Sequence, residues 1–214
     1  MGTYRDYTET EEKLNFGSHM IGLLFYLIAC PYLIYQATMQ VNQVSISGLI
    51  IYCIGLIAVF STSSLYHFAK DKELKIKYRT LDHMAIFLLI GGTYTPVVNA
   101  YIINPLGTIF LIILWSILIA GIVMKFFFMG RFKTFSILLY VFLGCMVLFI
   151  IKPILDNMPH HVFTYILLGC IKYLGGVIFY INKKREYTHT LWHIFVLAAS
   201  IFHFIAVYRI AISS

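Results

Sequence analysis

Charge is scarce in this chain. Only 12% of its 214 residues are Asp, Glu, Lys or Arg, while 60% are hydrophobic, and the mean hydropathy is +0.84. A soluble domain carries about twice that share of charge, so the solvent for most of the chain is lipid. Cysteine is equally sparse. Cys30, Cys53, Cys145 and Cys170 each lie in an apolar stretch, without the close pairing of a zinc ribbon or a redox motif. They read as packing residues in a reduced setting. A positive leader is also missing: the residues before the first apolar run, MGTYRDYTETEEKLNFGSH, are acidic on balance. A cleavable signal needs a basic start and a small-residue cleavage site, so the first helix is expected to be retained.

Seven apolar stretches approach the 20 or so residues that cross a bilayer as a helix. They run over 15–36, 45–68, 81–102, 106–127, 135–154, 162–182 and 189–210. The connecting loops are short, so consecutive helices should be antiparallel neighbours. The expected fold is an all-α seven-helix transmembrane bundle forming one domain over 1–214, with residues 1–14 as a short N-terminal segment. Gly91-Gly92 and Thr95-Pro96 predict a loosened or kinked third helix.

The net charge of +7 does not point to nucleic acid, because the basic residues fall between apolar runs. Lys70, Lys72, Lys75, Lys77 and Arg79 lie between spans two and three. Lys125, Arg131 and Lys133 lie between four and five, and Lys183, Lys184 and Arg185 between six and seven. All three clusters fall on one side of a seven-span chain. Basic loops stay inside, which predicts a cytoplasmic N-terminus and an external C-terminus in a multi-pass cell-membrane protein.

Polar side chains within spans are costly and normally face the bundle interior. Span two ends with Ser63 and His67, span three opens with Asp82 and His83, and span seven opens with His189 and His193. Counted from the flanking basic residues at 1.5 Å per residue, Ser63, His67, Asp82, His189 and His193 lie roughly 5–12 Å inside the same edge. Three helices thus place polar groups in one layer. His189 and His193 are four apart, so both rings leave one helix face and can share a metal. His67 can supply a third nitrogen, leaving one position for water, as catalytic zinc sites do. No Glu follows His189 as in His-Glu-x-x-His, so a base must come from another helix. Asp82 can orient that water or take its proton without ligating the metal, and Ser63 can hydrogen-bond the water or a substrate oxygen. Glu12 falls before the first span, which leaves Asp82 as the carboxylate at the right depth. Singly, each residue has a plainer reading: His67 and His189 at the interface, Asp82 favoured by a helix N-terminus, Ser63 bonded to its own helix. Among the others, His83 points some 100° from Asp82 and reads as packing or as a support behind the site. His160 and His161 read as solvated, and His203 lies about 15 Å deeper than His193. Lys172 is a mid-span lysine without an evident partner.

These residues carry a resemblance. Glu12-Lys-Leu-Asn15 with His19 and Gly22, Ser63-x-x-x-His67, Arg79-Thr-Leu-Asp82-His83, Gly92-Thr-Tyr-Thr-Pro96 and His189-Thr-Leu-Trp192-His193 resemble the hemolysin III family, the bacterial branch of the progestin and adipoQ receptor (PAQR) family. The resemblance covers nearly the whole chain. It implies seven helices with the N-terminus inside, and Zn2+ on His67, His189 and His193 with Asp82 and Ser63 beside its water. The wider superfamily includes alkaline ceramidases, which implies hydrolysis of a lipid amide or ester in the bilayer. A receptor-like protein with structural zinc and a cytolysin or channel are the alternatives. A channel would need polar residues along the whole bundle, and here they cluster in one leaflet.

The topology is directly testable. With single cysteines introduced by Glu73→Cys and Ser214→Cys, an impermeant thiol reagent added outside intact cells should label position 214 and spare position 73. Labelling of 73 alone would reverse the orientation.

Overall fold

A computed structural model describes residues 7–40, 45–182 and 185–212. Lys183, Lys184 and the first six residues, to which the charge reading also referred, lie outside the described residues. The chain forms α1 (Glu9–Thr38), α2 (Ile46–Phe68), α3 (Lys72–Tyr101), α4 (Pro105–Phe128), α5 (Lys133–Cys145), a 3₁₀ segment (Met146–Ile150), α6 (Ile151–Asn157), α7 (His160–Ile181) and α8 (Thr188–Ile212). Seven of these units are long and apolar enough to cross a membrane, with α5, the 3₁₀ segment and α6 together making the fifth. No strand occurs among the described residues. The protein is a seven-span helical membrane protein.

Two helices begin well before their apolar runs. Thr8 caps α1 in a reciprocal box with Glu11, so α1 starts at Glu9 rather than Asn15. Asp71 caps α3 through the Leu74 N–H at 2.9 Å, so most of the basic segment after span two is helix rather than loop. Hydropathy marks where lipid begins, whereas capping marks where the helix begins. Both early starts have functional consequences described below.

Packing follows the rules of lipid, where close approach replaces hydrophobic burial as the driving force. α2 and α3 make the most extensive pair. A Cβ on Gly92 would lie 2.9 Å from the Tyr52 Cα, and one on Gly55 would lie 2.9 Å from the Leu88 carbonyl oxygen. Gly92 therefore serves backbone contact with α2, while Gly91 makes room for the Trp115 and Leu118 side chains of α4. The helix runs on through Pro96 to Tyr101 rather than opening at the glycines. Tyr26 on α1 donates to Ser200 on α8 at 2.8 Å. One buried cluster joins α1, α2 and α8; a second joins α3, α4, the fifth span and α8. The outward faces carry residues such as Ile28, Ile112, Phe149 and Ile178, as lipid-facing surfaces do.

The fifth span is the irregular one. Its helical ladder breaks where the Tyr94 hydroxyl from α3 accepts from the Val147 N–H at 2.8 Å and donates to the Gly144 carbonyl at 2.9 Å. A neighbouring side chain thus satisfies the groups that the 3₁₀ turn frees. Pro153 removes a further N–H from the ladder.

The glycine packing predicts opposite signs for two substitutions of the same kind. Gly92→Ala forces its Cβ against the α2 backbone and should lower stability by about 1–3 kcal/mol. Gly144→Ala meets nothing within 4 Å and should be neutral or stabilising by up to about 1 kcal/mol. Thermal midpoints in detergent compare the two.

Candidate metal centre

Three helix ends build the site. His67 leaves the last turn of α2, and His189 and His193 leave the first two turns of α8 from one face. One ligand atom from each lies within 4.8 Å of the others. The Nε2 of His189 stands 3.3 Å from that of His67 and 3.1 Å from that of His193. His67 and His193 are buried and His189 is half-buried.

The far side of the rings decides what this convergence means. The Nδ1 of His67 lies 2.6 Å from a Glu12 carboxylate oxygen, and Lys75 pairs with the other oxygen at 2.5 Å. The Nδ1 of His193 lies 3.2 Å from the Asn15 carbonyl oxygen. Carboxylates and carbonyls only accept, so in both rings the proton sits on Nδ1 and Nε2 presents a lone pair. His189 can bridge one of the two Nε2···Nε2 contacts with a proton, not both. A cation at the meeting point satisfies all three rings at once. Outer partners of this kind, on the nitrogen away from a metal, are what hold ligand histidines in orientation. The three histidines can therefore hold a metal ion.

α1 supplies most of these partners. Its buried face runs Glu11, Asn15, His19, Gly22, Tyr26. Glu11 accepts from the Tyr187 N–H at 2.9 Å and so anchors the start of α8. The Asn15 side chain accepts from the Thr190 hydroxyl at 2.6 Å. The His19 ring lies 3.8 Å from that of His193, centroid to centroid, with neither nitrogen hydrogen-bonded among the described residues. Tyr7 stacks on His189 with centroids 4.9 Å apart, and burial pushes its hydroxyl well above the ordinary range.

Glu12 corrects the sequence reading. Hydropathy puts it outside the layer and leaves Asp82 as the carboxylate at the right depth; in the fold Glu12 is hydrogen-bonded to a site histidine. The helix start at Glu9 carries it inward, and the polar spacing Glu11, Asn15, His19 ahead of the first apolar run is the signal that could have revealed it. Asp82 is not one of the converging group. It faces Ser63 across α2 and α3 with Arg79 nearby, and the Ser63 hydroxyl is buried without a partner in ordinary hydrogen-bond range. His83 lies apart: its carbonyl accepts from Tyr140 at 2.9 Å. His160 and His161 are exposed at the other end. His203 packs into α7, 3.1 Å from the Ile166 carbonyl oxygen. Lys172 has a partner that sequence did not suggest, the Phe195 ring at 5.6 Å.

Residues 7–204 match the family described as haemolysin-III related. The chain belongs to the haemolysin III family. It is 34% identical to Hemolysin-3 of Bacillus cereus over 197 residues, covering 92% of this chain and 90% of that protein. It is 35% identical to the Hemolysin-3 homolog of Bacillus subtilis (strain 168) over 194 residues, covering 91% of each. More distantly, it is 24% identical to the human monocyte to macrophage differentiation factor over 164 residues, covering 74% of this chain and 68% of that protein. The haemolysin III match begins at Tyr7, so it includes the α1 segment that supports the histidines.

Glu12→Gln should keep the fold and weaken metal retention about 10–100-fold, the usual effect of losing an outer partner. His193→Ala should abolish retention. Metal content after graded chelation, read by elemental analysis, measures both; equal retention by Glu12→Gln and wild type would remove Glu12 from the site.

Proposed function

We propose that this haemolysin III protein is a zinc-dependent hydrolase of a lipid amide or ester, acting within the cell membrane near its cytoplasmic face. The carrying observation is the convergence of three imidazole Nε2 atoms beside a long apolar cavity. All-imidazole ligation suits zinc. Zn–N bonds of 2.0–2.1 Å in a tetrahedron set N···N separations of about 3.3–3.4 Å, close to the two separations measured here. The cavity, of about 400 Å³, is lined almost wholly by apolar side chains. Its wall follows α3 from Asp82 to Val98, a helix length of about 24 Å. That is most of the roughly 30 Å hydrocarbon core, and it accommodates an extended acyl chain with its polar end at Asp82. The apolar lining also speaks against an ion-conducting path.

Zinc held there would polarise a carbonyl and make water a usable nucleophile near neutral pH. The chain's own residues do the rest. Glu12 and the Asn15 carbonyl keep the imidazole tautomers that ligation requires. Asp82, facing the cavity, accepts the proton of the attacking water. Ser63 offers a hydroxyl to a substrate oxygen, and His19, also in the cavity wall, offers an N–H. Tyr7 covers the histidines from the N-terminal side.

The proposal requires one zinc per chain. Asp82→Asn should keep the zinc and the fold, while hydrolysis of long-chain N-acyl amides or acyl esters falls by about 10²-fold or more. Zinc content together with product release by mass spectrometry decides. Loss of zinc in Asp82→Asn would make Asp82 a ligand, close the fourth position and turn the reading to structural zinc.

A further inference from the structure

A second cavity, of about 460 Å³, adjoins the first at Tyr140, Val141 and Val177 and includes none of the three converging histidines. It lies at the basic end of the bundle between α3, the end of α4, the start of α5 and the end of α7. Among the described residues its wall carries three cations, Arg79, Lys125 and Lys133, and no Asp or Glu.

Lys125 is the informative residue. It lies in the last turn of α4 and is only 5% exposed, yet its ammonium meets no carboxylate or hydrogen-bond acceptor among the described residues. The charge that acts on it is Arg79, another cation. The α4 C-terminal carbonyls offset part of this, but an unpaired buried charge remains expensive. The start of α5 adds to the same demand. Its N-cap, Phe132, provides no side-chain hydrogen bond, so the first-turn N–H groups around Lys133 and Thr134 lack a side-chain cap. A helix N-terminus in that state favours an anion. Three cations, one of them buried and unpaired, and an uncapped helix start thus surround one hollow.

We propose that this cavity binds the phosphate of an anionic membrane lipid. Phosphate offers the charge and the acceptor oxygens that the Lys125 ammonium and the uncapped α5 start call for. A lipid source is favoured over a soluble one by the surroundings. Leu138 and Ile181 of the cavity wall are open to the bilayer side, and basic hollows between helices at this level are where anionic headgroups settle. The proposal stands apart from the histidine site and holds whether or not that site is catalytic.

The test uses the full chain in nanodiscs of phosphatidylcholine, with and without phosphatidylglycerol, reading the unfolding midpoint and the lipid retained in native mass spectrometry. Phosphatidylglycerol should raise the midpoint and stay bound to the wild type. Lys125→Met removes an unpaired buried charge and should fold at least as well, while retention weakens about tenfold or more, the worth of a charge-assisted contact. Lys133→Gln provides a second reading at the rim, with a smaller loss in the same direction. Lys172→Met, on another face of α7, should retain the lipid as the wild type does. Equal retention by Lys125→Met and wild type overturns the proposal, as does the absence of any phosphatidylglycerol effect. Inorganic phosphate is added in a separate arm, in phosphatidylcholine alone. If it reproduces the full midpoint rise, and Lys125→Met abolishes that rise, the lipid assignment is overturned in favour of a soluble phosphate.

Discussion

Three imidazole nitrogens aimed at one point in the membrane are the constraint on which the rest of this structure turns. Lone pairs repel, so the arrangement needs both a reason for each ring to face inward and something at the centre for it to face. The reasons are on the outer nitrogens: a Glu12 carboxylate on His67 and the Asn15 carbonyl on His193. Both come from α1, although the ligands stand on α2 and α8. The first helix therefore has to begin early enough to bring Glu12 to the end of α2. The start of α8 has to be fixed in height, which the Glu11 bond to the Tyr187 N–H does. Lys75 reaches Glu12 from the first turn of α3, so the early start of that helix belongs to the same construction. Four helix ends are tied together by one layer of polar contacts.

Much of this was legible in the sequence, and the parts that were not share a cause. Spans and ligand pairs show themselves through period and length: twenty apolar residues, or two histidines four apart. The agreement in depth of His67, His189 and His193 followed from counting residues to the nearest basic cluster. What failed was the use of hydropathy to locate helix ends. A hydropathy window registers the medium, and an amphipathic or charged first turn continues the helix into the headgroups without changing that signal. Glu12 was set aside for that reason. Gly91-Gly92 misleads differently: glycine loosens an isolated helix, but in lipid it also lets elements pack closely, Gly92 against the backbone of Tyr52 and Ile51 and Gly91 against the side chains of Trp115 and Leu118. The tertiary partner, absent from any local reading, decides between the two.

The fifth span shows how the same chain makes room. Apolar helices in lipid tend to close against one another, and a cavity of the size found beside Asp82 needs something to hold a wall open. Tyr94, from the middle of α3, places its hydroxyl among the backbone groups around Gly144 and Val147. The span tightens there into a 3₁₀ turn instead of continuing as a regular α-helix against α3. Tyr94, Cys145 and Val147 all line the cavity. An irregular stretch whose polar groups are met by one tyrosine is tolerable at membrane depth because it borders a cavity within the protein.

Whether the centre is catalytic or structural is a question about its fourth position. Structural zinc is held by four protein ligands, and catalytic zinc by three and a water. Among the described residues the converging group has three members. The Glu12 carboxylate already has one oxygen on the His67 Nδ1 and the other on Lys75; turning inward would release both and free the ring it orients. Asp82 faces Ser63 and the cavity instead, where a substrate's polar end would lie. In the hydrolase we propose, the two carboxylates divide the labour: Glu12 fixes a ligand from behind, and Asp82 stands on the cavity side facing Ser63.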